Sequence, residues 1–226
     1  TMICGLTGCS LTGKKYSNYV QGLLDLNYKG DYTYYLKTTT TSKADAEAIY
    51  EASMESLADT FINYYGIKIV DEGETKEAFV DIVKEIYSKA NYTVEPAQKV
   101  GDTYFVEVTV EPMNIIDITY DDVTTYINDF NARIAAGDFD NYEVDQYELE
   151  FANGIIDILR TAIPNVTYKE PQTVSAAITT GDYYSISDED FISISNLLIT
   201  DREGAETTEA VNPDTEATTV APTEAQ

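Results

Sequence analysis

Forty carboxylates and no histidine set the chemistry open to this chain of 226 residues. Without imidazole there is no usual general base near neutral pH, no Ser-His-Asp or Cys-His pair, and no H-E-x-x-H zinc site. Bond cleavage would have to rest on two carboxylates acting together, as in glycoside hydrolysis. Asp121 with Asp122, Asp138 with Asp140, Glu107 with Glu111, and Asp188 with Asp190 have the short spacing for it. Forty acids bring such pairs together by chance, however. Asp121, Asp122, Asp188 and Asp190 also stand at expected helix starts, where negative charge is favoured without any catalysis. No Gly-x-Ser-x-Gly elbow, Ser-x-x-Lys motif or phosphate-cradling glycine loop is present. The sequence therefore assigns no catalytic residue and no cofactor, and the expectation is a protein that is not an enzyme.

Asp138-Phe-Asp140-Asn-Tyr142 opens like an EF-hand loop. The match fails at Glu143, where glycine is required, and at Leu149, where a bidentate glutamate belongs. No metal ligand is assigned, and an irregular calcium site stays open. Nineteen tyrosines and no tryptophan are the other excess. Tyrosine offers a flat apolar face and a hydroxyl together, which suits glycans and peptides. Tyr32, Tyr34, Tyr35, Tyr64 and Tyr65 are the candidate ligand-binding residues. The competing explanation is a core in which Tyr replaces Phe and Leu.

Cys4 and Cys9 are the only cysteines, so no disulfide framework is available to the body. Their C-x4-C spacing lacks the C-x-x-C form of a redox pair. Leu6, Thr7, Gly8 and Cys9, followed by Ser10 and Leu11, resemble the lipobox of bacterial lipoproteins. There an apolar residue three before the cysteine and a small residue directly before it let the signal peptidase close around the chain. The resemblance implies residues 1–8 as a signal-peptide remnant and Cys9 as the lipidated, mature N-terminus, with residues 9–15 as its spacer. An inert cysteine and a redox pair are the alternatives. The implied place is the outer face of the cytoplasmic membrane, with the lipid bilayer as partner through acyl chains on Cys9.

Fourteen Lys and Arg against forty acids give a formal charge of -26, which repels nucleic acid and anionic headgroups. Nucleic acid is excluded as a partner on this ground. A solvated exported surface accounts for the acidity, as would a field that attracts a basic or metal-bearing partner.

Helical periodicity begins at Tyr16 and places Tyr16, Val20, Leu23 and Asn27 on one face up to Gly30. Ser42 to Asp45 has the form of a capping box, with the apolar stripe Ala46, Ile49, Tyr50, Met54, Leu57, Phe61 behind it and a stop at Gly66. A further helix spans 75–89. The period then changes to two: Tyr104, Val106, Val108 and Val110 share one strand face. Residues 92–100 are the expected hairpin partner, with Pro96 at a bulge or edge. A capping box at Thr119 to Asp122 opens the next helix, which ends at Gly137, and another runs from Tyr147 to the break at Pro164. Strands are expected at 166–169, 172–179 and 183–186, before a capping box at Ser187 to Asp190 and a short last helix.

The expected fold is α+β, with helices packed on one face of an antiparallel sheet in one domain over 16–200. Lys29-Gly30-Asp31-Tyr32 recurs as Ala136-Gly137-Asp138-Phe139, which suggests a degenerate internal repeat with halves 16–112 and 119–200. Shared turn chemistry explains the same likeness. Residues 203–226 hold six acids, many Thr and Ala, and no cation, and are expected to be a disordered tail.

Tyr19-Val-Gln-Gly-Leu23-Leu-Asp-Leu-Asn-Tyr28-Lys-Gly-Asp31, Ala46-Glu-Ala-Ile-Tyr50-Glu and Gly101-Asp-Thr-Tyr-Phe-Val-Glu-Val-Thr-Val-Glu-Pro112 together resemble small lipoproteins of Gram-positive gut bacteria. The resemblance covers residues 9–200 and implies surface display of an α+β body. It carries no functional residues, and the acidic Thr-rich tail departs from the compact ending it implies. The functional expectation is a membrane-anchored, non-catalytic protein that binds a glycan, a peptide or a partner protein. A carboxylate hydrolase and a structural envelope spacer are the alternatives.

Overall fold

The computed structural model describes residues 11–68, 73–181 and 183–202. The lipobox with Cys9, and the tail 203–226, lie outside these residues.

Period-two alternation organises the centre. β3 (Thr103–Glu111) turns Val106, Val108 and Val110 inward, all fully buried, while Glu107 on the other side is exposed. Each buried valine contributes about 1.5–3 kcal/mol over leaving it in water. β1 (Asn91–Val94) and β2 (Gln98–Val100) pair antiparallel with β3 in succession, and β4 (Gln172–Ile178) pairs antiparallel with it from Tyr104↔Ile178 to Val110↔Gln172. The expected strand 92–100 is thus two strands. Pro96 cannot donate to a ladder, and pairing breaks around it.

The helices cover the buried face. α1 (Leu11–Lys29) lays Tyr16, Tyr19, Val20, Leu24 and Tyr28 into the core, and α7 (Asp188–Leu198) adds Ile194 and Leu198. α3 (Lys43–Tyr64) and α4 (Glu74–Tyr87) form a layer with α1, and α6 (Val144–Ala162) packs on α4 and on α5 (Ile115–Ala136). The α+β fold with helices on one face of an antiparallel sheet is as the sequence indicated. All four strands belong to one sheet, in which β4, late in the chain, pairs with β3.

Several expectations are corrected. α1 begins at Leu11, so the stretch 11–15 read as spacer is the first turn of a helix. Gly13 and two lysines hide that turn from a periodicity argument. α5 begins at Ile115 rather than after Thr119, because Ile115 and Ile116 are buried; the Thr119 hydroxyl donates to the Ile115 carbonyl at 2.7 Å inside the helix. The strands expected at 166–169 and 183–186 reduce to single bridges, Met113↔Tyr168 and Thr179↔Ser185.

A short helix the sequence did not announce, α2 (Thr33–Thr38), lies on α1. Gly22 makes this possible: a Cβ there would stand 2.8 Å from the Tyr34 carbonyl carbon and 2.9 Å from the Tyr35 Cα. At the end of α1, Gly30 takes φ +64°, the left-handed geometry that closes a helix.

Charged groups enter the core only in company. The Tyr92 hydroxyl donates to Asp25 Oδ1 at 2.8 Å, and Gln21 Nε2 donates to Asp25 Oδ2 at 2.9 Å. Lys29 Nζ lies 3.9 Å from Asp25 and 4.2 Å above the Tyr92 ring. This satisfies the carboxylate, which unpaired burial would penalise by several kcal/mol.

Candidate functional site

Where the edge strand breaks at Pro96, the first turns of α1 come close and leave a groove. Gly13, Lys14, Ser17 and Asn18 line one side and Val94, Pro96 and Ala97 the other, around a cavity of about 240 Å³. Ser17 sets its floor. Its hydroxyl donates to the Gly13 carbonyl at 3.1 Å and accepts the Ala97 N–H at 2.8 Å, so the break in the ladder is closed by a side chain. Lys14 and Asn18 supply a cation and an amide at the rim, over the apolar wall of Val94 and Pro96. The sequence marked Pro96 as a break but gave no sign that α1 would meet it, since Ser17 and Ala97 are 80 residues apart.

The five candidate tyrosines fall into two places. Tyr35 is half-buried and tilts against Tyr19 at 6.4 Å, and Tyr34 is exposed beneath Lys37 at 5.8 Å. Tyr32 is half-buried and lies close to Tyr50, near the start of α3. Tyr65 is buried at the other end of α3, where desolvation raises its hydroxyl pKa; Tyr64 packs edge-on against it at 5.0 Å and is exposed. Fourteen residues of helix separate Tyr50 from Tyr64, a span of about 21 Å at 1.5 Å per residue, so the two groups do not line one cleft.

Around Tyr64 stand Tyr120, Asp117 and Asp201. Lys169 Nζ reaches Asp117 Oδ2 at 2.6 Å, and the Arg202 guanidinium lies 4.3 Å over the Tyr120 ring. These cations are engaged within the protein.

The short-spaced carboxylates stand in separate parts of the fold. Asp121 and Asp122 are on α5, Glu107 and Glu111 on β3, and Asp138 and Asp140 follow α5. Asp138 faces Arg133 at 3.6 Å, Glu111 accepts from Asn91, and Asp190 Oδ2 accepts the Ala177 N–H at 3.2 Å. Among the described residues no group of three or more acids, cysteines or histidines is placed to hold a metal. Among them, too, no helix is long and apolar enough to cross a membrane.

No protein-family model and no curated protein sequence matches the chain. A solved structure shares the fold: the crystal structure of the “putative lipoprotein (ycdA)” of Bacillus subtilis strain 168. It superposes with a TM-score of 0.55 at 18% identity, over 84% of this chain and 58% of that one. The chain thus spans little more than half the length of that protein. At this identity the likeness defines an architecture shared with a chain described as a lipoprotein from a Gram-positive bacterium.

Proposed function

We propose that the protein is a non-catalytic lipoprotein, held by acyl chains on Cys9 at the outer face of the cytoplasmic membrane, that binds an extracytoplasmic ligand. The observation that carries this reading is the pairing of a lipobox-like Leu6-Thr7-Gly8-Cys9 with a body whose fold recurs in a Bacillus chain described as a lipoprotein. Membership among the small lipoproteins of Gram-positive gut bacteria is the narrower form of the same proposal. Two acyl chains would hold the protein durably, where one would not. Intact-mass analysis of the native membrane fraction tests the anchor: the chain from Cys9 onward plus lipid is expected, and a soluble full-length product would overturn it.

The groove at Pro96 is the proposed ligand seat. At about 240 Å³ it is smaller than the 300–1,000 Å³ common for whole small molecules. It fits one side chain or one sugar of a longer polymer, which favours a peptide or glycan strand. A titration panel of peptidoglycan fragments and cell-wall peptides is expected to yield a ligand that Asn18→Trp, filling the groove, no longer binds. Binding unaffected by that substitution would move the seat elsewhere, with the exposed Tyr34 and Tyr64 next to be tested.

A further inference from the structure

In this strongly acidic chain three cations stand at one end without an acidic partner. Lys14 and Lys15 lie in the first turns of α1, and Lys99 lies on β2, next to the β2–β3 turn. None of them forms an ion pair among the described residues; Lys37, Lys89 and Arg202 form none either but stand apart from one another, whereas Lys29, Lys43, Lys76, Lys84, Arg133, Arg160 and Lys169 are paired. Aromatic contacts gather the three segments. The Tyr16 ring is 4.5 Å from Tyr104 and 5.2 Å from Tyr184, Lys15 Nζ is 4.7 Å over Tyr184, and Lys99 Nζ is 5.9 Å over Tyr104.

Apolar groups project from the same end. Tyr183 is 76% exposed, more than any other large apolar residue described, and Val100 at the hairpin tip is 63% exposed. The acids nearest in the chain are Glu95 and Asp102, both exposed, and Asp182, which lies outside the described residues.

The length of the tether decides what this end meets. Only Ser10 separates Cys9 from the first residue of α1. Two extended residues span at most about 7 Å. An acylated Cys9 sits at the headgroup layer, so the start of α1 cannot rise far from it.

We propose that this end is a membrane-contact face. Tyr183 and Val100 dip into the boundary between headgroups and acyl chains of the leaflet that holds Cys9, and Lys14, Lys15 and Lys99 rest on its phosphates. Tyrosine favours that boundary because its ring is apolar and its hydroxyl is wet. Lysine can lay its stem along apolar surface while its ammonium reaches phosphate. The remaining surface carries the excess acids, which an anionic leaflet repels, so the body stands with this end down. The inference rests on the anchoring reading above, and its test separates the two.

The full chain with Cys4→Ser is coupled through Cys9 to a maleimide lipid in phosphatidylglycerol–phosphatidylcholine vesicles, which imposes the anchor whether or not the cell adds one. The chain has no tryptophan, so Tyr183→Trp and, separately, Tyr64→Trp report one position each. Tyr64 lies near Asp117, beyond the Met113 end of β3, about 27 Å of strand away from the hairpin tip. Brominated lipid is expected to quench the tryptophan at 183 at least about twofold more than the one at 64. Lys14→Glu, Lys15→Glu and Lys99→Glu together are expected to abolish that difference with the circular dichroism unchanged. Equal quenching at both positions, or a difference that survives the triple charge reversal, overturns the contact face. Failure of the native chain to carry lipid in the mass measurement overturns the anchor instead.

Discussion

The Ser17 hydroxyl accepts the Ala97 N–H at 2.8 Å and thereby fastens the first turns of α1 to the gap between β1 and β2. The bond matters because Ala97 sits where the β ladder is interrupted, and Ser17 is itself buried. Ser17→Ala leaves that N–H without its acceptor. The expected cost is about 1–2 kcal/mol, or a fall of about 2–8 °C in the thermal midpoint for a chain of this size. Thermal unfolding followed by circular dichroism checks it, and an unchanged midpoint would mean that water replaces the hydroxyl.

Gly22 is held small by backbone rather than by a movable side chain. A Cβ would meet the Tyr34 carbonyl carbon at 2.8 Å and the backbone nitrogen and Cα of Tyr35, so α2 must lift off α1. Gly22→Ala is expected to cost about 1–3 kcal/mol from overpacking, despite alanine's better helix propensity. Gly154→Ala meets the ring end of the half-buried Tyr126 instead, a side chain that can move without shifting backbone at the cost of its hydroxyl's bond to the Glu150 carbonyl at 2.9 Å. The Gly22 substitution should therefore lower the thermal midpoint more, and the reverse order would refute the close approach of α1 and α2.

The free edge of β4 is capped by a side chain. Asp190 Oδ2 accepts from the Ala177 N–H at 3.2 Å, while the Asp190 N–H donates to the Ser187 hydroxyl at 3.0 Å and starts α7. Asp190→Ala releases Ala177, and its amide is expected to exchange with solvent at least about tenfold faster, following loss of a bond of about 1.5 kcal/mol. Ser187→Ala weakens the helix cap by about 1 kcal/mol and leaves the Asp190 acceptor in place. Amide exchange resolved at Ala177 separates the two roles; equal acceleration in both variants would show that only the helix start matters.

Local rules made part of this fold legible. The alternation of Val106, Val108 and Val110 marked β3, Ser42 and Ser187 marked the starts of α3 and α7, and Gly137 marked the end of α5. What stayed hidden depends on partners far along the chain. Spacing put Asn27 on the apolar face of α1 and said nothing of Asp25, and neither partner is local: Asp25 is met by Tyr92, 67 residues on, and Asn27 by Ser53, 26 residues on. α2 has six residues, no bond from its N-cap side chain and no buried residue; Asp31 accepts the Thr33 N–H at 2.9 Å, and packing on α1 rather than an apolar pattern of its own holds it helical. The groove was hidden for the same reason: Pro96 was visible as a break, but what fills the break comes from α1. The tyrosine excess divides in the way neither simple reading required. Tyr28 stacks between Tyr87 and Phe191 at 5.6 and 6.1 Å in the core, while Tyr183 stands in solvent.

The buried tyrosines impose an alkaline limit on stability. Burial pushes the hydroxyls of Tyr19, Tyr28 and Tyr126 up to about 12, and it raises those of Tyr65, Tyr87 and Tyr92 further; Asp25 beside Tyr92 adds to the shift there. In the unfolded chain these groups ionise near pH 10. Below that pH both states keep their protons and the tyrosines contribute their full stabilisation. Above it the unfolded state binds fewer protons than the folded one, so stability falls as pH rises and is lost progressively towards the folded values. Between about pH 10 and 12 the protein is expected to unfold cooperatively, with phenolate absorbance and far-ultraviolet circular dichroism changing at one midpoint. Gradual ionisation of the five buried ones, Tyr19, Tyr28, Tyr65, Tyr87 and Tyr92, with the dichroism intact would show that they are not sealed in the core.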